Sequence, residues 1–273
     1  MKKVMFTKHL EGMTLAEIVD GLKHIGLDGA DLCVRPGYPV TPENCATALP
    51  AAARQFASAG LSIEICTTPG DFNDPAMEYA DRLFAACGEA GVKRIKLGYW
   101  TYEKDYWSTL DDCKRKLAGF ARLAEKRGVK AMVHNHSSRT MGLNASAAMR
   151  LMEGLDPAHV GIFADAGHLS MVGEPLTMAL DICWDYLAAI AAKDLVWDKE
   201  PGKLDAPRRL KVVPFGFGCS EWGELAATLK RRRWDGVMSF HCEYGGYVPA
   251  AVLGQCYTDK TLFEKMWEGI RVE

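Results

Sequence analysis

The sequence carries no excess of either charge: 33 lysines and arginines stand against 35 acidic residues, for a formal net charge of −2. No block of like charges interrupts that balance, which argues against bulk electrostatic attraction to nucleic acid or to a membrane surface. No apolar run approaches membrane-spanning length. Met1-Lys2-Lys3 is basic, but Val4-Met5-Phe6 is too short for the apolar region of a secretory leader. The nine cysteines are odd in number, spread singly from Cys33 to Cys256, and form no C-x-x-C pair. Such usage fits reduced thiols in a cytoplasmic protein rather than a disulfide framework. Also missing is the glycine fingerprint of a dinucleotide fold, since the first strand-to-helix turn reads Phe6-Thr7-Lys8-His9-Leu10-Glu11-Gly12.

What is present is a regular alternation. With 48% hydrophobic residues the chain can bury a sizeable core. Short, partly β-branched apolar runs predict eight strands near Val4–Phe6, Ala30–Val34, Ser62–Cys66, Arg94–Leu97, Ala131–His134, Gly161–Asp165, Ala188–Ala192 and Val237–His241. Between them, Leu15, Ile18, Leu22 and Ile25 have helical spacing, with Thr14 and Glu17 in a capping-box pattern and Gly26 as the stop. The same logic predicts helices near 43–59, 74–90, 109–127, 144–154, 221–231 and 260–270, three of them closed by Gly60, Gly91 and Gly128. Parallel neighbours need a helix-length return, and eight such units at this length predict a single (β/α)8 barrel over residues 1–273, with no linker. The one long gap, Leu195 to Gly218, contains Pro201, Gly202, Pro207, Pro214 and Gly216 and reads as a loop over the barrel mouth, a lid or specificity element.

Barrel enzymes carry their chemistry at the strand C-termini. The polar residues at the eight expected ends are Lys8; Asp31 and Arg35; Glu64 and Thr67; Lys96; His134 and His136; Asp165 and His168; Lys193 and Asp194; His241 and Glu243. In an extended chain side chains alternate, so His134 and His136 share a face, as do His241 and Glu243. His134, Asp165 and His241 form a borderline-hard ligand set suited to a divalent Mn, Zn, Mg, Fe or Co ion. Lys193 follows small apolar residues, where desolvation would lower its pKa and make it a base or the electrostatic partner of an enolate. Glu243 is the other proton-transfer candidate. Lys8, Arg35, Lys96, His136, His168 and Trp100 are the expected substrate contacts, Arg35 by clamping a phosphate or carboxylate and Trp100 by stacking on a sugar face. Plainer roles exist beside these: His9, His24 and His159 read as structural, Asp165 as a cap for the stretch after Gly167, and Asp194 as a turn cap.

On the segments Phe6–Leu10, Gly29–Gly37, His134-Asn135-His136, Asp165-Ala166-Gly167-His168, Lys193-Asp194 and His241-Cys242-Glu243-Tyr244, the chain resembles the xylose isomerase-like TIM barrels. That superfamily includes sugar phosphate isomerases and epimerases and is related to apurinic-site endonucleases. The resemblance implies a metal held by glutamate, aspartate, histidine and glutamate from strands five to eight, with the glutamates exchanging protons with substrate. Carried onto this chain, Asp165 matches, His134 stands for the first glutamate, Ala191 falls on the histidine, and His241 or Glu243 takes the last place. His168 matches a residue that contacts substrate hydroxyls. Gly216-Phe217-Gly218 stands where a glycine-glutamate-glycine element is expected.

The function expected is metal-assisted proton transfer next to a carbonyl in a sugar, keto-sugar or polyol, as an isomerase or epimerase. The alternatives are a keto-sugar lyase or dehydratase of the same fold, and a carbohydrate-binding barrel without chemistry. A DNA-repair endonuclease is disfavoured by the missing ligands and the slight negative charge. The expected partner is a small carbohydrate, with no nucleic acid and no membrane, and self-association into a homo-oligomer is left open.

Overall fold

The computed structural model describes residues 1–199 and 202–271, so Pro201 of the long gap lies outside the described residues. Chain order is β1 (Lys2–Phe6), α1 (Leu15–Ile25), β2 (Gly29–Cys33), α2 (Cys45–Ser58), β3 (Ser62–Thr67), α3 (Ala80–Glu89), β4 (Arg94–Lys96), α4 (Tyr106–Arg127) and β5 (Lys130–His134). It continues through α5 (Ala145–Met152), β6 (Val160–Asp165), α6 (Ala166–Met171), α7 (Leu176–Cys183), β7 (Leu187–Ala192), β8 (Asp194–Asp198), β9 (Arg209–Val213), α8 (Trp222–Arg231), β10 (Val237–Phe240) and α9 (Pro249–Gly269). Strands β1 to β7 and β10 close into an eight-stranded parallel barrel, in which β1 pairs with both β2 and β10. All eight predicted strands are found. No helix among the described residues is long and apolar enough to cross a membrane.

Local rules explain the element ends. Thr14 and Glu17 form the expected reciprocal capping box, and Gly26 closes α1 at φ 74°, a left-handed conformation that costs glycine nothing. Helix α9 starts eleven residues before the predicted 260, because Pro249 sits at its first turn, where a missing N–H is harmless. Helix α6 starts at the cap expected in Asp165, while α7 escaped prediction because Gly173-Glu174-Pro175 cuts the segment into two short pieces.

Alternation along the strands builds the interior in layers. Val4, Ile65, Met132, Phe163, Ala189, Ala191 and Val237 form a buried cluster separate from the larger one between sheet and helices. Two residues further along their strands come Phe6, Thr67, His134 and Lys193, which line a cavity at the C-terminal end together with His241, four residues beyond Val237. Glu64, expected at that end, instead closes the opposite one through ion pairs to Lys2 and Arg94. It lies early in β3, among strand-start residues.

The long gap is not an irregular loop. β8 and β9 pair antiparallel, with Asp194 opposite Val213 and Asp198 opposite Arg209. The hairpin rises from the end of β7, and its foot is organised by Asp194, whose buried carboxylate accepts from the backbone N–H groups of Gly216, Gly218 and Ser220 and from the Trp222 indole at 2.9 to 3.1 Å. Gly218 is obligatory there, since a Cβ would lie 2.1 Å from Asp194 Oδ1. Asp194 therefore does cap a turn, and Gly216-Phe217-Gly218 wraps it. Eight cysteines are buried, while Cys219 at the hairpin's foot is exposed.

Candidate metal centre

Three buried side chains converge at the C-terminal end of the barrel. One atom each of His134, Asp165 and His241 lies within 4.8 Å of the others. His134 closes β5, Asp165 closes β6, and His241 follows β10, its N–H held by the Ala192 carbonyl. His134 Nε2 is 3.4 Å and His241 Nδ1 4.0 Å from Asp165 Oδ2. Neither these three atoms nor Lys96 Nζ has a hydrogen-bond partner among the described residues. Buried polar atoms are seldom left unpaired, because the lost hydration is not returned.

The surroundings hold each donor in place. Asp165 Oδ1 accepts from the His168 N–H, so one oxygen caps α6 while Oδ2 faces His134 and Lys193. His134 Nδ1 meets the Tyr99 hydroxyl at 3.1 Å, and His241 Nε2 faces Asp31 Oδ2 at 3.4 Å. Asp31 is fixed by the hydroxyls of Thr67 and Ser239. His241 Nε2 is at ion-pair distance from Asp31 without a hydrogen bond among the described residues, and an acceptor or hydroxyl behind the outer nitrogen, with the inner one turned to a common centre, is how metal-ligating histidines are supported. The donor set and its unpaired atoms fit a divalent cation.

Charge is arranged above the centre. Lys193 Nζ lies 2.5 Å from Glu243 Oε1 and 3.3 Å from Asp165 Oδ2, and Lys8 Nζ lies 2.6 Å from Glu243 Oε2. Burial opposes the charge on Lys193, but Asp165 and Glu243 outweigh it and hold the ammonium above its usual pKa. The expected lowering of Lys193 is thus reversed, and its two carboxylate neighbours hold it as a cation. Burial would raise Glu243, yet Lys193, then His241 and Lys8, keep it well below the usual carboxylate range. For Asp165 burial is likewise outweighed, chiefly by Lys193 and His168. Burial lowers His134 well below the usual imidazole range, which keeps it neutral and able to ligate. His241 is raised, because Asp31 and Glu243 overcome its burial.

The cavity over these groups measures about 160 Å³ and is lined by Lys8, Arg35, Lys96, His136, Lys193 and Glu243 among others. His168 lies under its wall, with Nδ1 2.7 Å from Ser137 Oγ and its ring 3.8 Å from that of His136. The turn that delivers Ser137 includes Ser138 at φ 99°, a strained conformation outside glycine. Trp100 is not brought to this cavity. Neighbouring residues in an extended segment face opposite ways, so Tyr99 lines the mouth while Trp100 donates its indole N–H to the Asn73 carbonyl and lines a separate surface groove. Asp31 was expected at the end of β2 but without a role, and the support that Tyr99 gives His134 was not foreseen.

Known proteins place this architecture. The model for the xylose isomerase-like TIM barrel matches residues 12–255. A comparison with curated protein sequences gives no match. Among solved structures, the IOLI protein with a bound zinc atom superposes with a TM-score of 0.76 at 15% identity, covering 99% of this chain and 100% of that one. A D-tagatose 3-epimerase-like protein gives 0.75 at 16% identity, covering 98% and 97%. A probable 3-DHS dehydratase, AsbF of Bacillus anthracis, gives 0.72 at 13% identity, covering 96% and 98%. The barrel, its closure and the family match agree, and the chain belongs to the xylose isomerase-like TIM barrel family.

Proposed function

We propose that the protein is a carbohydrate isomerase or epimerase that moves a proton on carbon next to a carbonyl, with a divalent cation held by His134, Asp165 and His241. The carrying observation is that three unpaired buried donor atoms stand beside the Lys193–Glu243 ion pair at one barrel end. Sugar epimerases and a zinc-binding barrel of the same fold support the reading. When bound, a Zn, Mn, Mg, Fe or Co ion supplies Lewis acidity to a substrate carbonyl or hydroxyl oxygen.

The chain's own groups supply the rest. Glu243 is ionised and is the acid that lines the cavity, so it accepts the C–H proton. In the resting site its proton affinity is suppressed by Lys193. As negative charge grows on the substrate oxygen, the ammonium turns toward that oxygen and releases its hold on Glu243, strengthening the base as the proton arrives. A single carboxylate on one face returns the proton most directly to the neighbouring carbon. Isomerisation therefore stands ahead of epimerisation, which needs a second proton donor such as His136 on the opposite face. β-Elimination shares the first step and differs in losing a β-hydroxyl. His168 and Lys8 orient the hydroxyl chain.

The test is exchange of a substrate C–H with deuterated solvent across a panel of ketoses, keto-sugar acids and ketose phosphates, alongside metal analysis of protein purified without chelator. Glu243→Gln is expected to lower exchange by at least about 100-fold, in line with the usual worth of general acid–base catalysis, while retaining the metal. Wild-type exchange in that variant would dismiss Glu243 as the base. Absence of both metal and exchange in the wild type, together with retained sugar binding, would favour the carbohydrate-binding barrel.

A further inference from the structure

Among the described residues, two of the four cations lining the cavity have carboxylate partners and two have none. Lys8 and Lys193 are engaged by Glu243. Arg35 makes no ion pair with a described carboxylate; its Nε donates to the Thr68 carbonyl at 3.1 Å. Lys96 is 2% exposed, and its Nζ has no hydrogen-bond partner among the described residues. Both stand over aromatic faces, Lys96 Nζ 3.9 Å from the centre of the Tyr99 ring and the Arg35 guanidinium 5.7 Å from that of Phe6. A single residue holds the pair together: the Thr68 hydroxyl donates to the Lys96 carbonyl at 2.7 Å, while the Thr68 carbonyl accepts from Arg35.

A buried ammonium without an acceptor costs several kcal/mol unless it loses its proton or meets an anion. The barrel does not need it for packing, because methionine fills a similar volume without charge. The ring faces supply partial compensation and leave the cavity side of both groups free. From this we propose that the substrate carries an oxyanion, a carboxylate or a phosphate, seated between Lys96 and Arg35 on the β2–β4 side of the mouth, away from Glu243. Tyr99 links the two ends of the site, since its ring supports Lys96 and its hydroxyl holds His134. Anchoring at the Lys96 end sets how far the reacting carbon lies from Glu243. The proposal rests on the carbohydrate reading above and narrows it to sugar acids or sugar phosphates.

The experiment compares calorimetric affinities of zinc-loaded protein for probes of equal carbon number: D-xylitol, D-xylonate and D-xylitol 5-phosphate, then the glucitol, gluconate and glucitol 6-phosphate series. At least one anionic probe should bind ten-fold or more tightly than its neutral alditol, and which one does so separates carboxylate from phosphate. Lys96→Met and Arg35→Gln should each erase that preference while leaving alditol affinity unchanged. Arg35 is half-buried, so its variant keeps the test open should the Lys96 variant fold poorly. Equal binding of alditol and anion would overturn the oxyanion proposal and leave the carbohydrate reading standing. An anionic preference that survives both substitutions would overturn the assignment to this pair. Binding of none of the probes would overturn the proposal together with the carbohydrate reading.

Discussion

Lys193 Nζ lies 2.5 Å from Glu243 Oε1, so one buried ammonium is shared between the expected base and Asp165, the expected metal ligand. Proton affinity at Glu243 and cation affinity at Asp165 are therefore coupled through one side chain.

Lys193→Met is expected to raise affinity for zinc, because a cation is removed from beside Asp165 Oδ2, and at the same time to lower exchange activity by about 100-fold or more. Competition against a chromogenic chelator reads the first effect and deuterium exchange the second. An unchanged metal affinity would show that the ammonium and the cation do not share Asp165.

Asp31 orients His241 from behind and does not itself line the cavity. Asp31→Ala should weaken zinc binding by roughly 10- to 100-fold, the usual cost of losing a carboxylate that holds a ligating histidine. Asp31→Asn should recover much of it, because the amide retains an oxygen to orient. Equal losses in both variants would mean that packing, and not orientation, is at stake.

Burial, with Arg35 second, lowers Lys96 to a pKa of about 7. Between that value and the unfolded chain's ordinary lysine value, the unfolded chain holds a proton the folded one has released, so stability rises with pH across the window. The cost of burying the charge is full below about pH 7 and fades as pH approaches 10.5. Lys96→Met should accordingly stabilise the protein, on the order of a few kcal/mol at pH 6, and by progressively less toward pH 10. Urea midpoints at pH 6, 8 and 10 measure this. A gain independent of pH would contradict the assignment.

Gly218→Ala places a methyl against the Asp194 carboxylate and should break the cradle at the hairpin's foot. The expected loss is about 1–3 kcal/mol in stability, with faster proteolysis within residues 195–213. Unchanged proteolysis would mean that the foot accommodates the methyl without opening.

The barrel was legible because each strand is a short apolar run and each return is amphipathic, a pattern in which local spacing and tertiary placement agree. His134, Asp165 and His241 were legible as a group because they end strands, and the period of two then decides which way they point. Trp100 was misplaced by that same rule, one residue from Tyr99. Lys193 was misjudged for a different reason: its neighbours in sequence are alanines, whereas its charge state is set by Asp165 and Glu243, 28 and 50 residues away. The hairpin was hidden because Asp194 gathers donors from residues 216 to 222, a contact with no periodic signature.

Cys219 gives the molecule a chemical handle. The other eight thiols are buried, so a maleimide fluorophore added to the folded native protein will attach at this one position without any cysteine being replaced. The dye would sit where Asp194 gathers the chain, between the end of β7, which leads into Lys193, and the arm that rises beside the mouth. Its emission then gives a direct optical record of whether that arm changes its surroundings when a ligand enters.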